Sequence, residues 1–461
     1  MQIRFAFLMS TLCVGLTACA PSPESAQRLN PLDTSLPPMN VFRDTKVAAP
    51  TRSNAEMTQD FLDLSFEMEN GRALPILTRF EGPIHVAIAG KIPSSLPTEL
   101  AKLLDRLQSE AGIDIKRTQR PAQAQITIEG IDSQKMARYA PTAACFVAPR
   151  VSSWADYVKH RRTKLNDWTT LRKREQLAVF IKADESPQEI RDCLHEEIAQ
   201  AIGPLNDLYR LPDSVFNDDN MNTVLTGFDM LMLQAYNDPA LKNGMTRSEV
   251  AAKLPSILNR LNPAGMRIKT RPIKRTPDAW VAAIERALAP KGRSVTRQAA
   301  AQTALDIAIQ QGWKDHRRGF SHYILGRLSI SQNGNESLAN FLRADAFYAQ
   351  SPLTTAHRAH VGVQLTAYAL SAGEPEAVLN LAEQYLPALA NNQNAALMAN
   401  LMLMKAEALD MLGRPAEARN VRLDSLGWAR YGFANGDEVR QRQADVAALR
   451  PMSATTKSEN G

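Results

Sequence analysis

The sequence has few cysteines, few aromatic residues and little net charge. Four cysteines among 461 residues are too few for a small disulfide-stapled scaffold. The hydrophobic fraction of 44% is ordinary for a globular protein, which excludes wholesale disorder, collagen-like repeats and a coiled-coil rod. A net charge of +6 over this length can come from one local run, so it does not by itself indicate nucleic-acid binding. At roughly 150 residues per domain, the length favours two or three domains.

The first twenty residues predict export and lipid attachment. Arg4 precedes an apolar stretch over residues 5–14, which has signal-peptide length and is shorter than the about 20 residues that cross a bilayer. Leu16-Thr17-Ala18-Cys19 follows and resembles the bacterial lipobox. The resemblance implies removal of residues 1–18, acylation of Cys19 (palmitate among the acyl groups) and, since the next residue is not Asp, retention at the outer membrane. A plain secretory signal with a chance cysteine is the alternative.

Export restricts what the remaining cysteines can do. Cys13 would leave with the signal peptide, so Cys145 and Cys193 remain. In the oxidising periplasm two such cysteines favour one disulfide, which would close a loop of about 48 residues. Two buried free thiols are the alternative. An exported chain that contains neither a GxxxxGK loop nor a GxGxxG turn is not expected to bind nucleic acid.

Composition also divides the chain into segments. Residues 20–55 are rich in Pro, Ser, Thr and Asn, which is typical of an extended tether. We predict a signal peptide over 1–18, a tether over 19–55, an α+β domain over 56–260, a basic linker over 261–277, a helical-repeat domain over 278–450 and a disordered tail over 451–461.

Hydrophobic periodicity predicts the elements of the α+β domain. The expected strands cover residues 84–89, 124–131, 144–148 and 177–182, and the expected helices cover 97–111, 157–176 and 187–202. The helix over 157–176 would carry seven Lys and Arg against two acids, so it would hold +5 of the net charge. This pattern is typical of a solvated helix face, and a contact with phospholipid headgroups is the alternative.

The C-terminal third indicates helical hairpins. Gly373-Glu374-Pro375 and Gly413-Arg414-Pro415 each join two helical stretches, and the two turns are separated by about 40 residues, a spacing that helical repeats share. Paired amphipathic helices must stack on neighbours to bury their apolar sides. The pattern resembles tetratricopeptide-type repeats, which implies a protein-binding or packing module. An irregular helical bundle is the alternative.

One predicted helix carries the residues that are the best candidates for chemistry. Ser186-Pro187-Gln188-Glu189 is a capping box with proline at the first helical position, and Gly203 is expected to be the left-handed residue that ends the helix. His195-Glu196 does not start an HExxH zinc motif, because position 199 is Ala.

Shifted by one residue, the stretch Glu196-Glu197-x-x-Gln200-x-x-Gly203-x-x-Asn206 resembles the metzincin zinc motif HExxHxxGxxH/D. The resemblance implies Glu196, Gln200 and Asn206 at the three metal-ligand positions and Glu197 as general base. The same stretch, with Ser214-Val215-Phe216-Asn217-Asp218, is similar to domain-of-unknown-function family 2927 over roughly residues 60–255. These resemblances imply an α+β protein, with a metzincin-like mixed α/β domain followed by an all-α helical-hairpin repeat domain.

The ligand positions depart from a zinc site. Zinc prefers imidazole and thiolate ligands, whereas the oxygens of Glu, Gln and Asn suit harder ions such as Ca²⁺, Mg²⁺ or Mn²⁺. Three interpretations follow: a metal-free scaffold descended from a peptidase, an oxygen-ligated divalent metal site, or a working metallopeptidase-like hydrolase. We predict the scaffold, without a cofactor, held to the membrane by Cys19 and binding a protein partner through the helical repeats. The hydrolase with Glu197 as base is the alternative.

Overall fold

The computed structural model describes residues 36–42 and 47–451, which form two compact units. The α/β unit contains residues 47–277, and the helical unit contains residues 36–42 and 278–451. Cys19, the lipobox and most of the predicted C-terminal tail lie outside the described residues. Within the described ranges, every helix is too short or too polar to cross a membrane.

A five-stranded mixed sheet with the order β2-β1-β3-β5-β4 forms the centre of the α/β unit. The strands are β1 (Ile84–Gly90), β2 (Ile115–Arg117), β3 (Ile126–Ile131), β4 (Cys145–Pro149) and β5 (Leu177–Lys182). All neighbours pair in parallel except β4, which runs antiparallel to β5 at one edge. The four predicted strands are confirmed. β2 was not predicted, because it has three residues and only Ile115 is buried.

Helices surround this sheet. They are α1 (Asn54–Ser65), α2 (Leu96–Ala111), α3 (Ser133–Ala137), α4 (Trp154–His160), α5 (Pro187–Ile202), α6 (Gly227–Tyr236) and α7 (Arg247–Leu261). Successive side chains of a strand point to opposite faces. Val179 and Ile181 of β5 therefore enter the large core with α1, α2, α5, α6 and α7, whereas Ala178 and Phe180 pack with Trp154 of α4 on the other face.

The prediction of one basic helix over 157–176 is wrong. Helix α4 ends at His160, and two short 3₁₀ turns precede β5. The side chains of Thr163 and Asp167 accept hydrogen bonds from the backbone N–H of Leu165 and Thr169, which favours turns over a continued helix. Arg174, at the end of this segment, is buried. The basic charge therefore lies on an irregular loop.

The helical unit is a succession of hairpins. Its helices are α8 (Asp278–Leu288), α9 (Ser294–Gln310), α10 (His316–Ser329), α11 (Gly334–Tyr348), α12 (Thr355–Ser371), α13 (Pro375–Asn391), α14 (Ala395–Met411), α15 (Pro415–Gly432) and α16 (Gly436–Ala447). Starting from α8, every second helix begins about 40 residues after the previous one, which is a regular repeat of one hairpin. The two predicted Gly-x-Pro turns join α12 to α13 and α14 to α15. The predicted fold class, α+β followed by a helical domain, is confirmed.

The helices of each hairpin differ in burial. Helix α14 has 13 buried residues among 17, whereas α13 has only 4 among 17. Helices α10 and α12 resemble α14, and α9 and α11 resemble α13. Consecutive helices pack against one another along the chain. The hairpins thus share a core of inner helices, and the outer helices face solvent.

Candidate functional site

Helix α5 carries the residues of the candidate site and has the predicted bounds. It begins where Ser186 Oγ accepts a hydrogen bond from the backbone N–H of Glu189 (3.1 Å), with Pro187 in the first turn. Such a cap satisfies one of the N–H groups that a helix start leaves without an intrahelical partner. Most of α5 is buried because it packs against strands β4 and β5 and against helix α2.

The C-terminal end of α5 differs from the prediction. Gly203 is not left-handed, since its φ is −139° and its ψ is −145°. The last carbonyls are instead satisfied by the buried guanidinium of Arg174, which donates to the carbonyl oxygens of Gln200 (2.7 Å), Ala201 (2.8 Å) and Gly203 (2.6 Å). Glycine is favoured because a Cβ at position 203 would lie 2.8 Å from the backbone oxygen of Ala199, as well as 2.5 Å from Leu233 Cδ2. Arg174 thus performs the role that the sequence assigns to a left-handed glycine.

A disulfide between Cys145 and Cys193 connects the edge strand β4 to α5. The two Cα atoms are 5.9 Å apart, and both residues are buried. The predicted disulfide is confirmed. It fixes the antiparallel edge strand next to the helix that carries Glu196 and Glu197.

Within residues 36–42 and 47–451, only one group of three or more His, Cys, Asp or Glu has its ligand atoms within 4.8 Å of one another. This group consists of Cys145, Glu196 and Glu197. The Cys145 sulfur is bonded to Cys193, so it supplies no thiolate. The group therefore reduces to two adjacent carboxylates. Glu197 is 1% exposed, and Glu196 is half-buried.

The two amides at predicted ligand positions contact the end of α1 and the loop after it. Asn206 Nδ2 donates to the carbonyl oxygen of Asp63 (2.9 Å), and Gln200 Nε2 lies 3.5 Å from an oxygen of Glu69. Both amide side chains are buried. In these positions they hold α1 and the loop after it against α5. A ligand role for Glu196, Gln200 and Asn206, and the general-base role of Glu197, stay predictions.

Acidic side chains lie along the first turns of α5. The pKa of Glu189 is raised to about 8, first by burial and then by repulsion from Asp192 and Glu185. Burial also raises the pKa of Asp192, although Arg191 beside it favours the carboxylate. Glu189 is therefore a carboxyl group on α5 that binds a proton with a pKa of about 8, and it lies outside the sequence motif.

The contacts of His195 give it a structural role. Its Nδ1 accepts a hydrogen bond from the backbone N–H of Leu225 (3.2 Å), and the side chain is buried. Burial, together with Arg106 and Arg191, lowers its pKa well below the usual value. His195 is therefore a neutral imidazole that positions the segment before α6.

A network of buried ion pairs surrounds α1, and the sequence motifs did not indicate it. Arg210 binds both Asp60 (2.8 Å) and Asp63 (2.9 Å), and Arg52 also pairs with Asp60 (3.1 Å). Burial raises the pKa of Asp60 and lowers that of Arg52, while their attraction opposes both shifts. Because Arg210 is far from α1 in sequence, no local sequence pattern predicts these ion pairs. The network attaches α1 to the segment that follows the motif.

One protein family matches the part of the chain that contains this site. Neither a curated protein nor a solved structure matches the chain. Residues 54–256 match the family described as protein of unknown function (DUF2927). The match runs from the first residue of α1 into α7 and includes the whole stretch from Glu196 to Asn206. Most of the α/β unit is thus matched by the DUF2927 family, which agrees with the similarity predicted over roughly residues 60–255.

Proposed function

We propose that this chain is a lipoprotein of the bacterial cell envelope, acylated at Cys19 and facing the periplasm from the outer membrane. Its DUF2927 domain is a non-catalytic framework, and its helical unit binds a protein partner. The observation that carries this proposal is the bond between Cys145 and Cys193, which removes the sulfur from the group it forms with Glu196 and Glu197.

The donor chemistry at α5 supports the non-catalytic role. A catalytic zinc site has three protein ligands and one open position, and at least one ligand is usually imidazole or thiolate. Here the motif offers one carboxylate, Glu196, and two neutral amides whose N–H groups face other protein oxygens. Neutral amides are poor zinc ligands, so the motif would hold zinc too weakly to activate a bound water. The buried ends of these side chains contribute to packing of α1 on α5.

The disulfide also supports export. Disulfides persist in secreted and periplasmic proteins and are rare in the reducing cytosol. Both cysteines are buried, 2% and 8% exposed, which protects the bond from reduction. An exported, disulfide-bonded domain agrees with the signal peptide and lipobox predicted over residues 1–19.

The arrangement of the helical unit supports partner binding. A row of stacked hairpins presents an extended surface that a single compact bundle lacks. Large apolar side chains are exposed on separate hairpins, including Val295 on α9 (72%), Leu342 on α11 (54%) and Leu423 on α15 (47%). Exposed apolar side chains on successive repeats provide contact points for a protein partner.

Metal analysis and peptidase assays test the non-catalytic role. The purified chain that starts at Ala20 should contain no stoichiometric metal and should not cleave casein above background. One tightly held metal per chain, lost on Gln200→Ala, together with casein cleavage abolished by Glu197→Gln, would overturn the proposal. Glu249→Gln, on the exposed first turn of α7, is the matched control.

Two experiments in cells test the other parts. Cys19→Ser should release the protein from the membrane fraction, and unchanged partitioning contradicts lipidation. A photo-cross-linking residue at Leu342 should give a discrete adduct in the envelope. The same residue at Ile92, 52% exposed in the α/β unit, should give none. Equal adducts at both positions, or none at either, contradict partner binding by the outer hairpin surface of the helical unit.

A further inference from the structure

An extended segment from far upstream belongs to the helical unit. Residues 36–42, here called the strap, lie within the predicted tether, and the whole α/β unit separates them from α8 in sequence. The strap forms no helix or strand. Its binding surface is a face of helix α15.

Hydrogen bonds fix the strap in one register. Arg430 donates to the carbonyl oxygen of Pro37 (2.6 Å). The backbone N–H of Asn40 donates to the carbonyl oxygen of Gly427 (3.0 Å), and its side-chain amide donates to Asp424 Oδ1 (2.8 Å). A Cβ on Gly427 would lie 2.8 Å from Asn40 Nδ2, so the glycine lets the strap lie directly on the helix.

Apolar contacts complete the attachment at both ends. The Phe42 ring lies 4.5 Å from the ring of Trp428 and 5.8 Å, edge-on, from that of Tyr431. Leu36, at the other end, packs on a small apolar cluster that includes Leu426 and Val439. Trp428 and Tyr431 also belong to the stretch that follows the last Gly-x-Pro turn, so this part of the sequence forms a recognition surface.

The strap has the properties of a removable ligand. Pro38, Met39 and Val41 are exposed, and Leu36, Pro37, Asn40 and Phe42 are only half-buried. Pro37 and Pro38 hold the segment extended, which lowers the entropy lost on docking. The contacts use three features of a peptide: the carbonyl of Pro37, the side-chain amide three positions later at Asn40, and the ring two positions after that at Phe42.

We propose that the surface formed by Asp424, Gly427, Trp428, Arg430 and Tyr431 is a binding site for extended segments of the pattern Pro-x-x-Asn-x-Phe. The strap occupies this site within the chain, and a partner protein with such a segment displaces it. This proposal rests on the proposed partner binding and names the chemistry of the partner. Asp424 selects an amide donor, Arg430 requires a backbone carbonyl, and the aromatic pair selects a ring. Covalent attachment gives the strap a high effective concentration, so it suppresses weaker peptides.

A labelled peptide tests the site directly. The peptide has the sequence of residues 33–44, DTSLPPMNVFRD. Its binding is measured by fluorescence anisotropy to the chain that starts at Ala20. The Asn40→Ala/Phe42→Ala variant should bind at least tenfold more tightly than the unsubstituted chain, whose site is occupied. Met39→Ala/Val41→Ala, at exposed strap positions, is the matched control and should bind as weakly as the unsubstituted chain.

Further variants establish specificity. Adding Asp424→Ala to the strap variant, or replacing the peptide's Phe by Ala, should weaken binding at least tenfold. Circular dichroism checks that each variant retains its helices, and Phe42→Ala alone replaces the double variant if the latter unfolds. Equal peptide binding by all chains, or no binding by a folded strap variant, overturns the proposal.

The outcomes separate this proposal from the proposed function. If Leu342 cross-links to a partner and the peptide does not bind, the helical unit binds its partner elsewhere and the strap site is refuted. If the peptide binds and no cross-link forms, the site stands and partner binding through the outer hairpin surface is refuted.

Discussion

Removal of the Cys145–Cys193 bond should destabilise the α/β unit by about 4 kcal/mol. In the chain-entropy model the cost of opening a loop grows with the logarithm of its length. For the sequence separation of 48 the model gives about 14 cal/mol/K, which is about 4 kcal/mol at about 298 K. The bond joins the edge strand β4 to α5, so its loss acts on the elements around Glu196 and Glu197.

Hydrogen exchange followed by mass spectrometry resolves this effect by segment. A loss of about 4 kcal/mol corresponds to about a thousandfold faster exchange of amides that open only by unfolding of the unit. We expect this change for peptides from β5 and α5 in Cys145→Ala/Cys193→Ala. Peptides from α10 to α14 in the same sample are the internal control and should exchange as in the unsubstituted chain.

The unsubstituted chain, reduced with dithiothreitol, is the matched comparison, because it loses the bond and keeps both sulfur atoms. It should reproduce most of the acceleration. Exchange of α5 within tenfold of the oxidised protein, in both the variant and the reduced chain, would refute the loop-entropy argument. Fast exchange in the variant alone would instead assign the effect to the lost sulfur packing.

Three further predictions concern α5. Arg174→Met leaves three carbonyls at the end of α5 without their donor. It should lower the free energy of unfolding, measured by denaturant titration, by about 3 kcal/mol. The control Lys173→Met, at the exposed neighbouring position, should change that free energy by less than about 0.5 kcal/mol. Gly203→Ala should cost about 1–3 kcal/mol, because its Cβ meets the backbone oxygen of Ala199 and the side chain of Leu233; an unchanged unfolding midpoint contradicts this. The raised pKa of Glu189, about 8 against an ordinary 4.5, means that the folded state binds this proton more tightly than the unfolded state, so the unfolding free energy should fall as pH rises from about 4.5 to 8. Glu189→Gln should remove that part of the slope, and identical slopes in both proteins exclude Glu189 as its source.

Local patterns predicted most of the elements that position the candidate site. The apolar run of β5 and the Ser186 cap gave the strand and α5 with their observed bounds, because both depend on residues adjacent in sequence. The disulfide was predicted from the oxidising compartment and from the two cysteines that remain after export. The Gly-x-Pro turns gave two hairpins of the helical unit for the same local reason.

Interactions between distant residues could not be predicted in this way. The end of α5 depends on Arg174, which lies before β5 and counted as one more charge of a basic helix. The space at Gly203 is limited in part by Leu233, which approaches from α6. The strap composition indicated a tether, and only contacts with α15, near the other end of the sequence, identify it as part of the helical unit.

The spacing of the hairpins has a consequence for how such chains can diverge. Each hairpin packs on its neighbours along the chain, and successive hairpins begin at a nearly constant interval. Duplication or loss of one internal hairpin preserves the stacking surfaces on either side. Helical units of this kind should therefore differ in length by whole multiples of about 40 residues, with α15, its strap and α16 retained together. Changes of other sizes should be confined to the turns.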